Sequence, residues 1–160
     1  MYGFTKSNTT FKFRYPYDDR LLKLQGLIQE DQMHNPDTLD NNNEPCLMVI
    51  KNGNATGVTI GRANGLFSFV REYFLNGTHQ TSREWAILPY DTDRKSGAFS
   101  ARGDSGSIVA DGRGRIGGLI TGGAGNTESV DVTYATPLFW LLPRIKVNGF
   151  SNAHLDPVME

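Results

Sequence analysis

The densest group of chemically capable residues is Arg102-Gly103-Asp104-Ser105-Gly106-Ser107. A serine serves as a nucleophile when its hydroxyl projects from a tight, exposed turn, when backbone N–H groups converge where an oxyanion forms, and when a buried group holds the turn in shape. Gly103 and Gly106 allow the tight backbone, because glycine carries no Cβ penalty at positive φ. The amides of Gly103 and Ser105 are the natural oxyanion donors, each such donor being worth about 10²–10³ in rate. Asp104 is placed to pin the turn from inside. The same hexapeptide also reads as a plain glycine turn ahead of a strand. Read instead as Arg102-Gly103-Asp104, it is adhesion-loop chemistry, provided the loop is free.

Such a serine is a weak nucleophile without a base. The chain has three histidines, His34, His79 and His154. His34 lies in a polar stretch, His79 follows a Gly77-Thr78 turn, and His154 is in the C-terminal tail. Each reads as a solvated surface residue. The single cysteine, Cys46, excludes an intrachain disulfide and a cysteine-based zinc cluster. It fits a reducing compartment. No metal constellation is visible, and the glycine-rich stretch 112–125 lacks the lysine of a phosphate loop. No cofactor is expected. Three N-x-T sequons begin at Asn8, Asn54 and Asn76, and they matter only on a secretory route.

The elements that must position Ser105 are short strands. Phe11-Lys12-Phe13-Arg14-Tyr15 alternates with period two until Pro16, and Leu21-Leu22-Lys23-Leu24 reads as a short buried strand. Residues 29–45 are polar and interrupted by Pro36 and Asn41-Asn42-Asn43, which reads as a linker. A second block begins at Cys46. Leu47–Ile50 and Gly57–Gly61 read as strands around an Asn52-Gly53 turn signal. Leu66–Phe74 suits a strand or a short helix, and Trp85–Leu88 is a strand ended by Pro89. Ser107–Ala110 and Ile116–Ile120 form a hairpin through Asp111-Gly112-Arg113-Gly114. Val132–Ala135 is the last strand. Pro137 then opens a C-terminal helix, which Pro143 should shorten or kink. Short strands about ten residues apart predict an antiparallel barrel or sandwich.

Composition agrees. Eighteen glycines in 160 residues, about 11% against a usual figure of about 7%, favour a turn-rich β protein. The net charge of -1 without a basic block argues against nucleic acid as a partner. No run approaches the roughly 18 apolar residues of a membrane helix, and the N-terminus has no signal-peptide core. Neither membrane nor nucleic acid is therefore expected as a partner.

Three blocks in order resemble the chymotrypsin-fold serine proteases, and most of all the branch of streptogrisins and alpha-lytic endopeptidase. Gly53-Asn54-Ala55-Thr56-Gly57-Val58-Thr59-Ile60-Gly61 is similar to that branch's G-x-T-T-G-x-x-x-G hairpin. Arg102–Ser107 resembles its nucleophile turn, with Ser107 where glycine is usual. Gly118–Asn126 with Thr133–Pro137 resembles its G-L-T-S-G-G-S-G-N and T-F-F-x-P-V segments. The resemblance covers roughly 46–147. It implies an all-β, antiparallel barrel closed by a short C-terminal helix, a peptide or protein substrate, and hydrolysis through Ser105. It makes Asp104 an inward residue, which disfavours the adhesion reading. It puts Thr121-Gly122-Gly123 on the strand that pairs with substrate and Phe99 at the floor of the primary pocket, where ordinary core packing is the alternative. No acid stands at that floor, so cleavage after Lys or Arg is not indicated.

Asp18-Asp19-Arg20-Leu21-Leu22-Lys23-Leu24 is similar to the D-x-x-L-L-K-L segment of the family's catalytic aspartate. Asp18 lies 87 residues before Ser105, close to the family's spacing of about ninety, with Asp19 one place off. In the family order the histidine lies about 45 residues before the aspartate, ahead of Met1. The expected division is thus a remnant of the first barrel at 1–28, a linker at 29–45, the nucleophile-bearing barrel at 46–150 and a tail at 151–160. The first barrel and its histidine are expected to be mostly missing. Such a chain is either an inactive piece of a longer peptidase or a non-catalytic protease-like binding domain, prone to self-association through the incomplete barrel.

Overall fold

The computed structural model describes residues 21–40, 43–90, 97–125 and 132–155. They form six strands and two helices in the order α1 (Glu30–His34), β1 (Leu47–Gly53), β2 (Gly57–Tyr73), β3 (His79–Pro89), β4 (Ile108–Asp111), β5 (Ile116–Ala124), β6 (Val132–Pro137) and α2 (Leu138–Val147). The strands close a barrel in the order β1-β2-β3-β6-β5-β4, each neighbour antiparallel. The two segments expected at Gly57–Gly61 and Leu66–Phe74 are one long strand, β2. It bends at a register shift between Ala63 and Phe67, which lets a single strand follow the barrel wall. No described helix is long and apolar enough to cross a membrane.

Period-two alternation sends Leu47, Val49, Ala63, Ile87, Val109, Ile120 and Ala135 into one core around Trp85, which is fully buried. Trp85 places its indole N–H on the carbonyl of Asn64 at 3.1 Å, satisfying its only polar atom. Helix α2 starts directly behind Pro137, whose fixed φ of -61° suits a helix entrance, and runs past Pro143 to Val147.

The N-terminal approach corrects one expectation. Leu21-Leu22-Lys23-Leu24 is not a buried strand: Leu21 is 67% exposed and Leu24 39%. The chain joins the barrel a few residues later. There Gln25 N donates to Gly114 O and Ile28 N to Ile116 O, and Ile28 is fully buried. Residues 29–40 are also held on the barrel. Met33 of α1 enters the core, and Glu30 pairs with Arg83 at 2.6 Å. Asp37 pairs with Arg113 and Arg115 on the β4–β5 hairpin.

Candidate functional site

Strand β1 explains the turn that carries Ser105. The alternation that turns Leu47 and Val49 inward also turns Lys51 inward, leaving an ammonium with no exposed surface. A buried charge needs a partner and full hydrogen bonding. Asp104 supplies the partner, at 3.1 Å from Lys51 Nζ, with its side chain equally buried. Lys51 also donates to the Thr56 hydroxyl and to the Gly57 carbonyl.

The Asp104 carboxylate is saturated. Oδ1 accepts from the amides of Ala55 (2.7 Å) and Thr56 (3.3 Å). Oδ2 accepts from the Thr56 hydroxyl (2.6 Å) and the Ala101 amide (3.0 Å). Burial pushes its carboxyl upward, but the donors from Thr56, Ala101, Ala55 and Lys51 outweigh it and hold the group well below the ordinary carboxylate range. Gly53 is small for the same reason: a Cβ there would stand 2.3 Å from Asp104 Oδ1. Asp104 is thus inward, as the family likeness implies, and Arg102-Gly103-Asp104 is not a free loop.

With Asp104 fixed, the turn follows. Asp104 N donates to Ala101 O, and Ser107 N to Asp104 O. Gly103 and Gly106 take φ of +106° and +85°, values that favour glycine. Ser105 is exposed between them. Gly106 N donates to Ile120 O at 2.7 Å, and Ile120 N to Ser107 O at 3.0 Å, so the turn is stitched to β5. Among the described residues, neither the Gly103 nor the Ser105 amide is engaged in a hydrogen bond. Two amides beside an exposed hydroxyl can receive an oxyanion.

β5 outruns its neighbour at this point. It pairs with β4 only as far as Leu119, and the Ser107–Ile120 bonds end the contact. On one side Gly122 and Gly123 pair with β6, and Thr121 bulges between the Ile120 and Gly122 pairs. On the other side their edge is unpaired among the described residues, and all three are exposed. An extended chain can add there as a further strand.

The other sequence-derived site residues are placed as follows. Phe99 does not line this edge. It is 1% exposed and packs in the barrel core, its carbonyl taken by the Thr59 hydroxyl at 2.6 Å. Asp18 and Asp19 lie outside the described residues. His34, His79 and His154 are all exposed, and none hydrogen-bonds Ser105. His34 is more than solvated: its Nδ1–H donates to Gly65 O at 2.7 Å, and its ring meets Phe67 edge-on. Among the described residues, no group of three or more His, Cys, Asp and Glu side chains is placed to hold a metal ion. Lys51, Thr56 and Glu84 were not singled out from the sequence; for Lys51 the inward register of Leu47-x-Val49-x-Lys51 was the available signal.

Solved structures share this architecture. Thermobifida fusca Protease A matches with a TM-score of 0.51 at 21% identity, over 81% of this chain and 55% of its own. Cellulomonas bogoriensis chymotrypsin matches with a TM-score of 0.44 at 24% identity, over 64% of this chain and 47% of its own. The chain spans about half the length of these structures. No protein-family model and no curated protein matches it. The fold is that of a chymotrypsin-like antiparallel β-barrel with a short C-terminal helix, an architecture found in bacterial serine proteases.

Proposed function

We propose that this chain carries the nucleophile-bearing barrel of a trypsin-like serine endopeptidase. In this reading Ser105 attacks the scissile carbonyl, the amides of Gly103 and Ser105 receive the oxyanion, and the edge at Thr121, Gly122 and Gly123 pairs with the substrate backbone. The observation that carries the reading is the Ser105 turn. It couples an exposed serine and two unengaged amides to a fully buried aspartate, and it is stitched to an open strand edge. Kinship with the streptogrisin and alpha-lytic branch rests on the blocks at 53–61, 102–107, 118–126 and 133–137.

The carboxylate is assigned to Asp18, or to Asp19 one place on. The base belongs to a first barrel of which residues 1–28 are the end, joined by 29–45 to the barrel at 46–150 and followed by a tail at 151–160. A base in that place takes the Ser105 proton as the hydroxyl adds to the carbonyl, then returns it to the leaving amine. A second reading, a non-catalytic domain that binds peptides, is favoured by the lack of any hydrogen bond from an imidazole to Ser105 among the described residues.

Two measurements on the 160-residue chain test this. Incubation with a fluorophosphonate probe, read by intact mass, is expected to leave Ser105 unlabelled. Stoichiometric labelling that is lost in Ser105→Ala would make one of the three histidines the base. Amide spectra with a capped extended tetrapeptide are expected to shift at 103–106 and 121–123. Shifts confined to other surfaces would sink both readings.

A further inference from the structure

A groove of about 950 Å³ runs beside the open β5 edge, between the β2–β3 hairpin, the ends of β5 and β6, and α2. Its wall includes Glu84, a residue only 6% exposed. Oε2 of Glu84 accepts the Thr136 hydroxyl at 2.8 Å and the Thr121 hydroxyl at 3.3 Å. Oε1 makes no hydrogen bond among the described residues, and no buried side-chain oxygen or nitrogen there lacks a partner, so Oε1 opens on the groove.

No Lys, Arg or His among the described residues forms an ion pair with Glu84. The groove's cations are held elsewhere. Arg83 is paired with Glu30 and lies over the Phe67 ring at 4.1 Å, and Arg71 Nε donates to the Thr81 hydroxyl at 3.2 Å. Glu72 is the remaining charged side chain on its wall. Two neutral hydroxyls satisfy one carboxylate oxygen and leave the charge unmatched, a costly state for a group so buried.

Thr121 links this charge to the strand edge. β5 is bulged there: Ile120 faces Ala135 and Gly122 faces Tyr134, with Thr121 the extra residue. Its hydroxyl shares its one proton between Tyr134 O and Glu84 Oε2, each at 3.3 Å. A peptide added to the edge lies about 4.8 Å from the β5 backbone, so a long side chain that reaches over Thr121 meets the carboxylate. Phe67, Phe139 and Trp140 line the groove as well, giving the methylenes of a long side chain an apolar wall.

We propose that this groove selects a lysine or arginine side chain of an extended peptide, with Glu84 Oε1 as its counter-charge. The proposal rests on the peptide-strand reading above. It puts basic recognition on β3, away from the position of Phe99, where the sequence offers no acid.

The test compares capped extended peptides carrying lysine or norleucine at successive positions, their binding to the 160-residue chain read by fluorescence anisotropy. At one position the lysine peptide is expected to bind at least about tenfold tighter at low salt, with the difference shrinking as salt rises. Glu84→Gln, which keeps an oxygen for both threonine hydroxyls, is expected to remove most of that preference and leave norleucine binding unchanged. Norleucine binding with no lysine preference, or a preference that survives in Glu84→Gln, overturns this inference alone. Should neither peptide bind, the peptide-strand reading falls and the inference with it. The wild-type comparison decides the matter even if Glu84→Gln fails to fold.

Discussion

Replacing Lys51 by methionine isolates the charge that holds the Ser105 turn. Methionine keeps nearly the same length and an apolar stem, so the change removes charge and donors without opening a large cavity. What is lost is the ion pair to Asp104 at 3.1 Å and the bonds to Thr56 and Gly57. What remains is a carboxylate with no exposed side-chain surface and four neutral donors. Removing one partner of a buried pair costs about 3–5 kcal/mol, because the other charge stays buried and unmatched. Against the roughly 5–15 kcal/mol of a typical domain, that is a large fraction of the whole. Urea titration followed by tryptophan fluorescence suits the measurement, since Trp85 is wholly buried in the core. The midpoint is expected to fall with an unchanged slope. The double variant Lys51→Met/Asp104→Asn is expected to cost less than the sum of its parts, by up to about 3 kcal/mol, as residues in one network do. A loss below about 1 kcal/mol for Lys51→Met, with strict additivity in the double variant, would refute the claim that this pair carries the turn.

Acid should act through the same carboxylate. Because Asp104 titrates lower in the folded chain than its unfolded value near 3.8, its contribution is present above that value and is lost as pH falls through it and below. Asp104→Asn is expected to show a smaller drop in melting temperature between about pH 5 and pH 3 than the wild type, and equal drops would count against the assignment. A second expectation concerns the apolar groove lined by Leu21, Val58, Ile60, Tyr90 and Ile108, where Val58 is 64% exposed and Ile60 50%. Patches of this kind associate, so sedimentation velocity is expected to show self-association rising with concentration and abolished in Ile60→Lys/Ile108→Lys. A wild-type monomer at every concentration would end that idea.

The elements that the sequence made legible are those with local causes. Asp111-Gly112-Arg113-Gly114 announced its hairpin because glycine chemistry and flanking apolar residues act within a few positions. Pro137 announced the start of α2 in the same way. Leu21-Leu22-Lys23-Leu24 misled because an apolar run says that a surface wants cover, not that cover is present. For Phe99, counting from Ser105 fixes a place along the chain, while its burial in the core depends on the barrel around it. Glu84 was out of reach for a different reason. Its partners Thr121 and Thr136 lie 37 and 52 residues away, and only strand order brings them together.

Lys51 stands between these cases, and it bears on what the site can do alone. Its inward direction was readable from Leu47-x-Val49-x-Lys51, but its partner is 53 residues distant and became visible only with the fold. The pair also joins the β1–β2 turn to the Ser105 turn, because Asp104 accepts from Ala55 and Thr56 while holding Ala101. Among the described residues, the turn at 101–107 is held by its own backbone bonds, by β1, by the β1–β2 turn and by Ile120 of β5, and by no histidine. Under the proposed reading, the oxyanion donors and the peptide edge are preorganised without the base, and only proton transfer waits for it. Binding and chemistry are then separable in this chain, so a chain that fails to label at Ser105 should still hold a peptide along Thr121, Gly122 and Gly123.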